Sequence, residues 1–167
     1  MEYSDSGEST LAALCSVTQR SKDILGFARF PLAFEGNVKC STCGDESKRF
    51  MYFSIVDEVE LKTTKGSANF VHFCKFCKRE NFLSIIPSSV MSYNAEDSDA
   101  FKTIVVFFCG GLEPIDFEPG FGFVVETGGS GARFEGVDLS DGNWENQDEL
   151  SSDAVSISNL EFRLIKK

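Results

Sequence analysis

Phe101-Lys102-Thr103-Ile104-Val105-Val106-Phe107-Phe108-Cys109 carries apolar side chains at both parities of an extended chain. Thr103, Val105 and Phe107 fall on one face, Ile104, Val106 and Phe108 on the other. β-Branched and aromatic residues suit a pleated surface, and apolar residues on both faces predict a central strand covered on both sides. Gly110-Gly111 ends it. Toward the N-terminus the same kind of run recurs. Leu11–Val17 and Phe27–Phe34 are apolar runs split by the polar Thr18–Asp23, the first readable as a strand or as a helical turn. Phe50–Leu61 reads as a strand, with Val59 and Leu61 alternating against Glu58, Glu60 and Lys62. Thr63–Ser67 is a turn around Gly66, and Ala68–Phe73 and Phe82–Ile86 are further strands.

Ser88–Asp99 reads as a polar connection, Phe121–Val125 as a strand, Gly128–Gly131 as a turn and Asp138–Glu149 as an acidic loop. Trp144, alone in that loop, is either an interaction anchor or a plug that pins it. In the last segment Val155 and Ile157 alternate with serines, and then Leu160, Phe162 and Leu164 take the opposite parity, which predicts a β-bulge or break near Asn159. Few windows sustain a helical period. Short runs at turn-rich spacing predict a mostly β protein of antiparallel, sandwich-like sheets. A weak echo between Val38-Lys39-Cys40 with Gly44 and Phe107-Phe108-Cys109 with Gly110 suggests two similar halves. The expected organisation is a disordered tail at 1–10, a β-rich half at 11–90 that carries Cys40, Cys43, Cys74 and Cys77, and an acidic β-rich half at 91–167 packed on the first as one compact unit.

The chain has 167 residues and a formal net charge of −10, unevenly placed. Met91–Leu150 holds 13 acids against the two bases Lys102 and Arg133, whereas Lys39–Glu80 holds eight bases and six acids. The acidic total disfavours broad electrostatic binding to nucleic acid. No stretch approaches the ~20 apolar residues of a membrane helix, and Met1–Thr10 is acidic where a secretory signal would be basic and then apolar. The expectation is a cytoplasmic protein, with the nucleus also open to it, no membrane association and a monomeric state. In a reducing compartment six cysteines read as metal ligands or buried thiols rather than disulfides.

Cys40-Ser41-Thr42-Cys43 and Cys74-Lys75-Phe76-Cys77 are two C-x-x-C pairs with 30 residues between them. Two intervening residues let each turn aim both sulfurs at one centre, and two such knuckles complete a tetrahedron around zinc. Gly44 follows the first pair, where a knuckle needs positive φ. Strand–turn–strand material fills the gap, as in a zinc ribbon. Thiolates without carboxylates favour a soft or borderline ion. The competing assignments are a redox C-x-x-C, which belongs at a strand-to-helix junction, a four-cysteine iron–sulfur site, and four unrelated buried thiols. Cys40, Cys43, Cys74 and Cys77 are therefore the candidate ligands of one Zn²⁺ per chain, with no open position for a catalytic water. His72, the only histidine, stands two residues before Cys74 as a half-exposed strand residue or a partner of the ligands. Gly129-Ser130-Gly131 does not fit a phosphate loop, Glu96-Asp97-Ser98-Asp99 does not fit an EF-hand, and Cys15 and Cys109 lie in apolar runs as core thiols.

From about Val38 to about Glu149 the chain resembles the eukaryotic CXXC-motif-containing zinc-binding proteins, an uncharacterised protein family. The carriers are Cys40-Ser41-Thr42-Cys43-Gly44, Gly66-Ser67-Ala68-Asn69 and Cys74-Lys75-Phe76-Cys77-Lys78-Arg79-Glu80-Asn81. Tyr93-Asn94-Ala95-Glu96-Asp97, Phe101-Lys102-Thr103-Ile104-Val105 and Gly111-Leu112-Glu113-Pro114-Ile115-Asp116-Phe117 complete the set. The resemblance implies a mostly β protein with two similar halves and one zinc on Cys40, Cys43, Cys74 and Cys77. It transfers no catalytic activity. The functional expectation is a non-enzymatic zinc-binding protein acting through a protein partner. Metal trafficking by the same cysteines is the alternative. RNA binding through Lys39, Lys48, Arg49, Lys75, Lys78 and Arg79 ranks third.

Overall fold

The computed structural model describes residues 8–20, 24–29, 33–118 and 120–167. It is mostly β and antiparallel, as expected. The strands are β1 (Glu8–Arg20), β2 (Ile24–Arg29), β3 (Ala33–Gly36), β4 (Val38–Cys40), β5 (Met51–Ser54), β6 (Val59–Glu60), β7 (Ser67–Ala68) and β8 (Phe70–Phe73). After them come β9 (Glu80–Ile85), β10 (Tyr93–Asn94), β11 (Lys102–Gly110), β12 (Leu112–Pro114), β13 (Phe123–Thr127), β14 (Arg133–Val137), β15 (Trp144–Gln147) and β16 (Ala154–Lys166).

The largest sheet has six strands in the order β15-β16-β1-β11-β9-β8. β11, the run read first, is a central strand as predicted. Val105, Phe107 and Cys109 are fully buried on one of its faces. The order is symmetric about the β1–β11 seam: a hairpin ending at an edge lies on each side, β15–β16 on one and β8–β9 on the other. Strands from both sides of residue 90 alternate across it, so the two expected portions share a single sheet. The remaining sheets are β10-β2-β13-β14 and the pairs β12-β4, β3-β5 and β6-β7. One continuous core joins the large sheet to the smaller ones. Phe34 of β3 and Phe53 of β5 meet Phe107 edge-on at 5.6 and 6.0 Å between ring centres.

Several local expectations are corrected. The tail expected over 1–10 gives way to strand at Glu8, with 1–7 outside the described residues. Leu11–Val17 is not a helical turn but the middle of a 13-residue strand that runs on to Arg20. Its continuation is held by β16, with Gln19 opposite Ser158. Phe27–Phe34 is split between β2 and β3, with 30–32 outside the described residues. Phe50–Leu61 is broken after Ser54, where the Asp57 N–H returns to the Ser54 carbonyl at 3.2 Å. Ser88–Asp99 is not merely polar connection. Tyr93 is 2% exposed, stacks on Phe27 at 5.4 Å, and its hydroxyl accepts the Val17 N–H at 3.2 Å. The acidic loop expected over 138–149 contains β15 and the buried Leu139 and Asp148. Trp144 acts as the plug, with its ring 5.1 Å from Phe134 and half-buried against the core.

The parity change in β16 is present at the expected residue. Asn159 takes φ 56°, while β16 keeps one register with β1 on both sides of it. The left-handed residue therefore reverses the facing without inserting a residue.

Candidate metal centre

Each C-x-x-C pair sits in a six-residue turn closed by a bridging pair of strand residues. Lys39 bridges Glu46 around 40–45, and Phe73 pairs with Glu80 around 74–79. Within the turns the hydrogen bonds repeat. Cys40 N–H donates to Asp45 O and Gly44 N–H to Cys40 O, both at 2.8 Å. Cys74 N–H donates to Arg79 O and Lys78 N–H to Cys74 O, both at 2.9 Å. The fifth residue must be left-handed, and Gly44 has φ 79° and Lys78 φ 63°. Glycine adopts this conformation freely, whereas at Lys78 it costs about 1–2 kcal/mol that the closed turn must hold. The arrangement fits the zinc-ribbon-like site expected in the first half.

The two turns face each other. The Arg79 guanidinium reaches across to Thr42 Oγ1 at 3.1 Å. All four sulfurs lie within 4.8 Å of one another, with Cys43–Cys74 at 3.5 Å and Cys40–Cys77 at 3.7 Å. A tetrahedral zinc site with Zn–S of about 2.3 Å has sulfur–sulfur edges of about 3.8 Å, so the donor set fits that ion. Cys40 and Cys74 are buried, Cys77 is intermediate and Cys43 exposed. His72 is outside this cluster; its ring lies parallel to Phe70 at 6.2 Å between centres, as a half-exposed strand residue. Cys15 and Cys109 are fully buried core thiols, and burial pushes Cys109 up to about 12.

The electrostatics differ across the cluster. Burial pushes the Cys40 thiol up, but the Cys43 and Thr42 amides and the Asn81 side chain outweigh it and bring it down to about 6. At Cys43 the Asp45 amide pulls the pKa down, but burial and the three neighbouring thiols together push it up to about 12. Cys40 is thus the sulfur favoured as a thiolate, whereas the neighbouring thiols hold Cys43 and Cys77 toward their protonated forms.

Asn81 is a supporting residue that cysteine spacing alone does not disclose. It is fully buried on β9, and its Nδ2 donates to Cys40 Sγ at 3.5 Å. Gly111 makes room for it: at φ 75° a Cβ there would stand 2.1 Å from Asn81 Oδ1. Glu80 anchors the loop beneath the second knuckle, accepting the Lys62 and Thr63 amides at 2.8 and 2.9 Å and the Thr63 hydroxyl at 2.6 Å.

Fold and site together define a β-sheet protein with paired zinc knuckles and a four-cysteine site. The family model for the eukaryotic CXXC motif containing zinc binding protein matches residues 27–165, and the chain belongs to that family. The match begins eleven residues before Val38, the first residue of the resembling stretch. The chain is 44% identical over 129 residues to a Xenopus laevis CXXC motif containing zinc binding protein, covering 77% of this chain and 81% of the relative. The Homo sapiens protein of that name is 42% identical over the same shares. A Drosophila melanogaster UPF0587 protein is 36% identical over 152 residues, covering 90% of this chain and 93% of the relative. The crystal structure of C1orf123 superposes with a TM-score of 0.87 at 36% identity, covering 95% of this chain and 99% of that one. A hypothetical protein from Plasmodium falciparum, 23% identical, shares the fold with a TM-score of 0.85 over 93% of this chain and 99% of its own.

Proposed function

We propose that the protein is a non-enzymatic zinc-binding module of a reducing compartment, with a structural four-cysteine site that presents a surface to another protein. The observation that carries this reading is Phe76. It stands between the two cysteines of the second knuckle and is 81% exposed, with Lys75, Lys78 and Arg79 exposed around it. A large ring held in water on a turn fixed by thiolates is a natural contact residue. Four thiolates fill a tetrahedral shell and leave no position for a reacting water, which supports a role other than hydrolysis.

Partner capture from native extract, with wild type beside Phe76→Ala, tests the role. The variant should keep its zinc and lose a discrete set of captured proteins. An unchanged set, with zinc retained, would remove the knuckle from the contact. Metal analysis of protein purified without added metal should give one zinc per chain; near-zero zinc in fresh folded protein, or an iron–sulfur absorption spectrum, would refute the assignment.

The exposed Cys43 supports a second reading, metal exchange with a partner, because an incoming ligand can reach that sulfur first. The rate of zinc transfer to a chromogenic acceptor separates the two. Transfer in seconds with the fold retained favours a carrier, and retention for hours favours a structural ion. Salt-sensitive binding to single-stranded RNA would instead raise the third reading.

A further inference from the structure

The six-residue turn with a left-handed fifth residue occurs four times among the described residues, and only two copies carry cysteines. Glu126 pairs with Arg133 around 127–132, and Gln147 pairs with Ala154 around 148–153. Thr127 N–H donates to Ala132 O at 2.9 Å; Asp148 N–H donates to Asp153 O at 2.8 Å and Ser152 N–H to Asp148 O at 2.7 Å. The turn at Asp148 makes both bonds seen at Cys40 and Cys74, and the turn at Thr127 makes the first of them. The fifth residue is again left-handed, Gly131 at φ 72° and Ser152 at φ 64°. Each turn of this second pair ends a strand of a hairpin, and β15–β16 lies across the six-stranded sheet from β8–β9. The structural repeat therefore matches 40–45 with 127–132, not with Cys109 as the sequence echo suggested.

In the cysteine turns the ligands are the first and fourth residues. The first and fourth residues here are Thr127 and Ser130, then Asp148 and Ser151. Their burial follows the same rule. The first-position residues Thr127 and Asp148 are 3% and 1% exposed, as Cys40 and Cys74 are 5% and 1% exposed. The fourth-position residues Ser130 and Ser151 are nearer the surface, like Cys43 and Cys77.

Three of the four side chains, Thr127, Ser130 and Asp148, also converge. Asp148 Oδ2 accepts the Ser130 hydroxyl, and the Thr127 hydroxyl at 3.4 Å. Thr127 Oγ1 and Ser130 Oγ are 3.0 Å apart, and the Ala132 N–H reaches them at 3.0 and 3.2 Å. Asp148 Oδ1 accepts the Leu150 and Ser151 amides at 2.9 and 3.3 Å.

We infer that Thr127, Ser130, Asp148 and Ser151 are the four ligand positions of a second zinc-knuckle pair, in which hydrogen bonds to the Asp148 carboxylate replace the ion. A buried carboxylate is stable only when its oxygens are satisfied by donors. Here the donors come from both turns, so one side chain joins two segments separated by 17 residues, as zinc joins the cysteine turns. The Ser130 hydroxyl, with the Leu150 and Ser151 amides, holds the Asp148 carboxyl below the usual carboxylate range, which keeps the acceptor charged at neutral pH. The lone carboxylate and three hydroxyls lack the thiolates that would select zinc.

Restoring cysteines tests the assignment. The full chain carrying Thr127→Cys, Ser130→Cys, Asp148→Cys and Ser151→Cys should hold one more zinc than wild type measured beside it. It should also show doubled thiolate absorption with cobalt. Thr127→Cys with Ser130→Cys alone should gain none. A folded quadruple variant with no added zinc overturns the inference, whatever the wild-type content. Should the quadruple variant fail to fold, Asp148→Asn decides by hydrogen exchange. Amides in 127–132 and 148–153 should then exchange about tenfold faster or more together, with 40–45 and 74–79 unchanged. Acceleration confined to 148–153 would overturn the link between the two turns.

Discussion

Stripping zinc, by a strong chelator or by Cys74→Ser, is expected to free the turns at 40–45 and 74–79 while the centre of the six-stranded sheet keeps its amide protection. Four thiolates left without an ion repel one another; zinc reduces that cluster to a net −2 and joins segments 30 residues apart. Binding of structural zinc by small peptides is worth roughly 10–16 kcal/mol. That is comparable to the ~5–15 kcal/mol net stability of a whole domain. The loss should nevertheless be local. β9 is held by β11 independently of the metal, through register pairs from Phe107–Ile85 to Gly110–Phe82. Protection should therefore fall across 38–80 outside the paired residues of β4, β5 and β8, and persist in β11, β1 and β13. Full protection around Cys40–Cys77 after proven zinc loss would argue against a structural ion and move the assignment to metal exchange.

Phe107→Ala should cost about 3–5 kcal/mol, since a fully buried ring leaves a cavity its neighbours fill only in part. Two edge-on ring contacts, to Phe34 and Phe53, disappear with it. Aromatic pairs of this kind are worth about 0.5–1.5 kcal/mol beyond the area they bury. The melting temperature should fall by roughly 6–20 °C at about 2–4 °C per kcal/mol. Thermal unfolding of the zinc-loaded variant measures it. Phe76→Ala, at an exposed position, should shift the transition little and serves as the internal comparison. A drop of less than about 2 °C for Phe107→Ala would mean that the core near β11 relaxes around the vacancy.

β11 and the cysteine turns were legible because their signals are chemical and local. Consecutive β-branched and aromatic residues have few other uses, and two thiols at a spacing of three name a knuckle. The rest was hidden for identifiable reasons. β15 reads Trp144-Glu145-Asn146-Gln147, three polar residues after one ring, and is a strand because β16 offers it partners from Ala154 to Ile157. The end of β1 is polar for the same reason. The second knuckle pair has no motif at all, since Thr, Ser and Asp at a spacing of three occur in any turn. Only their convergence distinguishes them. Asn81 could have been suspected from its place four residues after Cys77, but its bond to Cys40 depends on Gly111, thirty residues further on.

The seam between β1 and β11 has a consequence for how the molecule is made. Ala12 finds its neighbours in Val106 on one side and Ile165 on the other. During synthesis β1 therefore waits for one partner until Val106 has emerged, and for the other until Ile165 has. Long-range pairing of this kind carries a high contact order and slow folding. In the interval β1 exposes both edges and an apolar face, the condition in which nascent β-chains pair with the wrong neighbour.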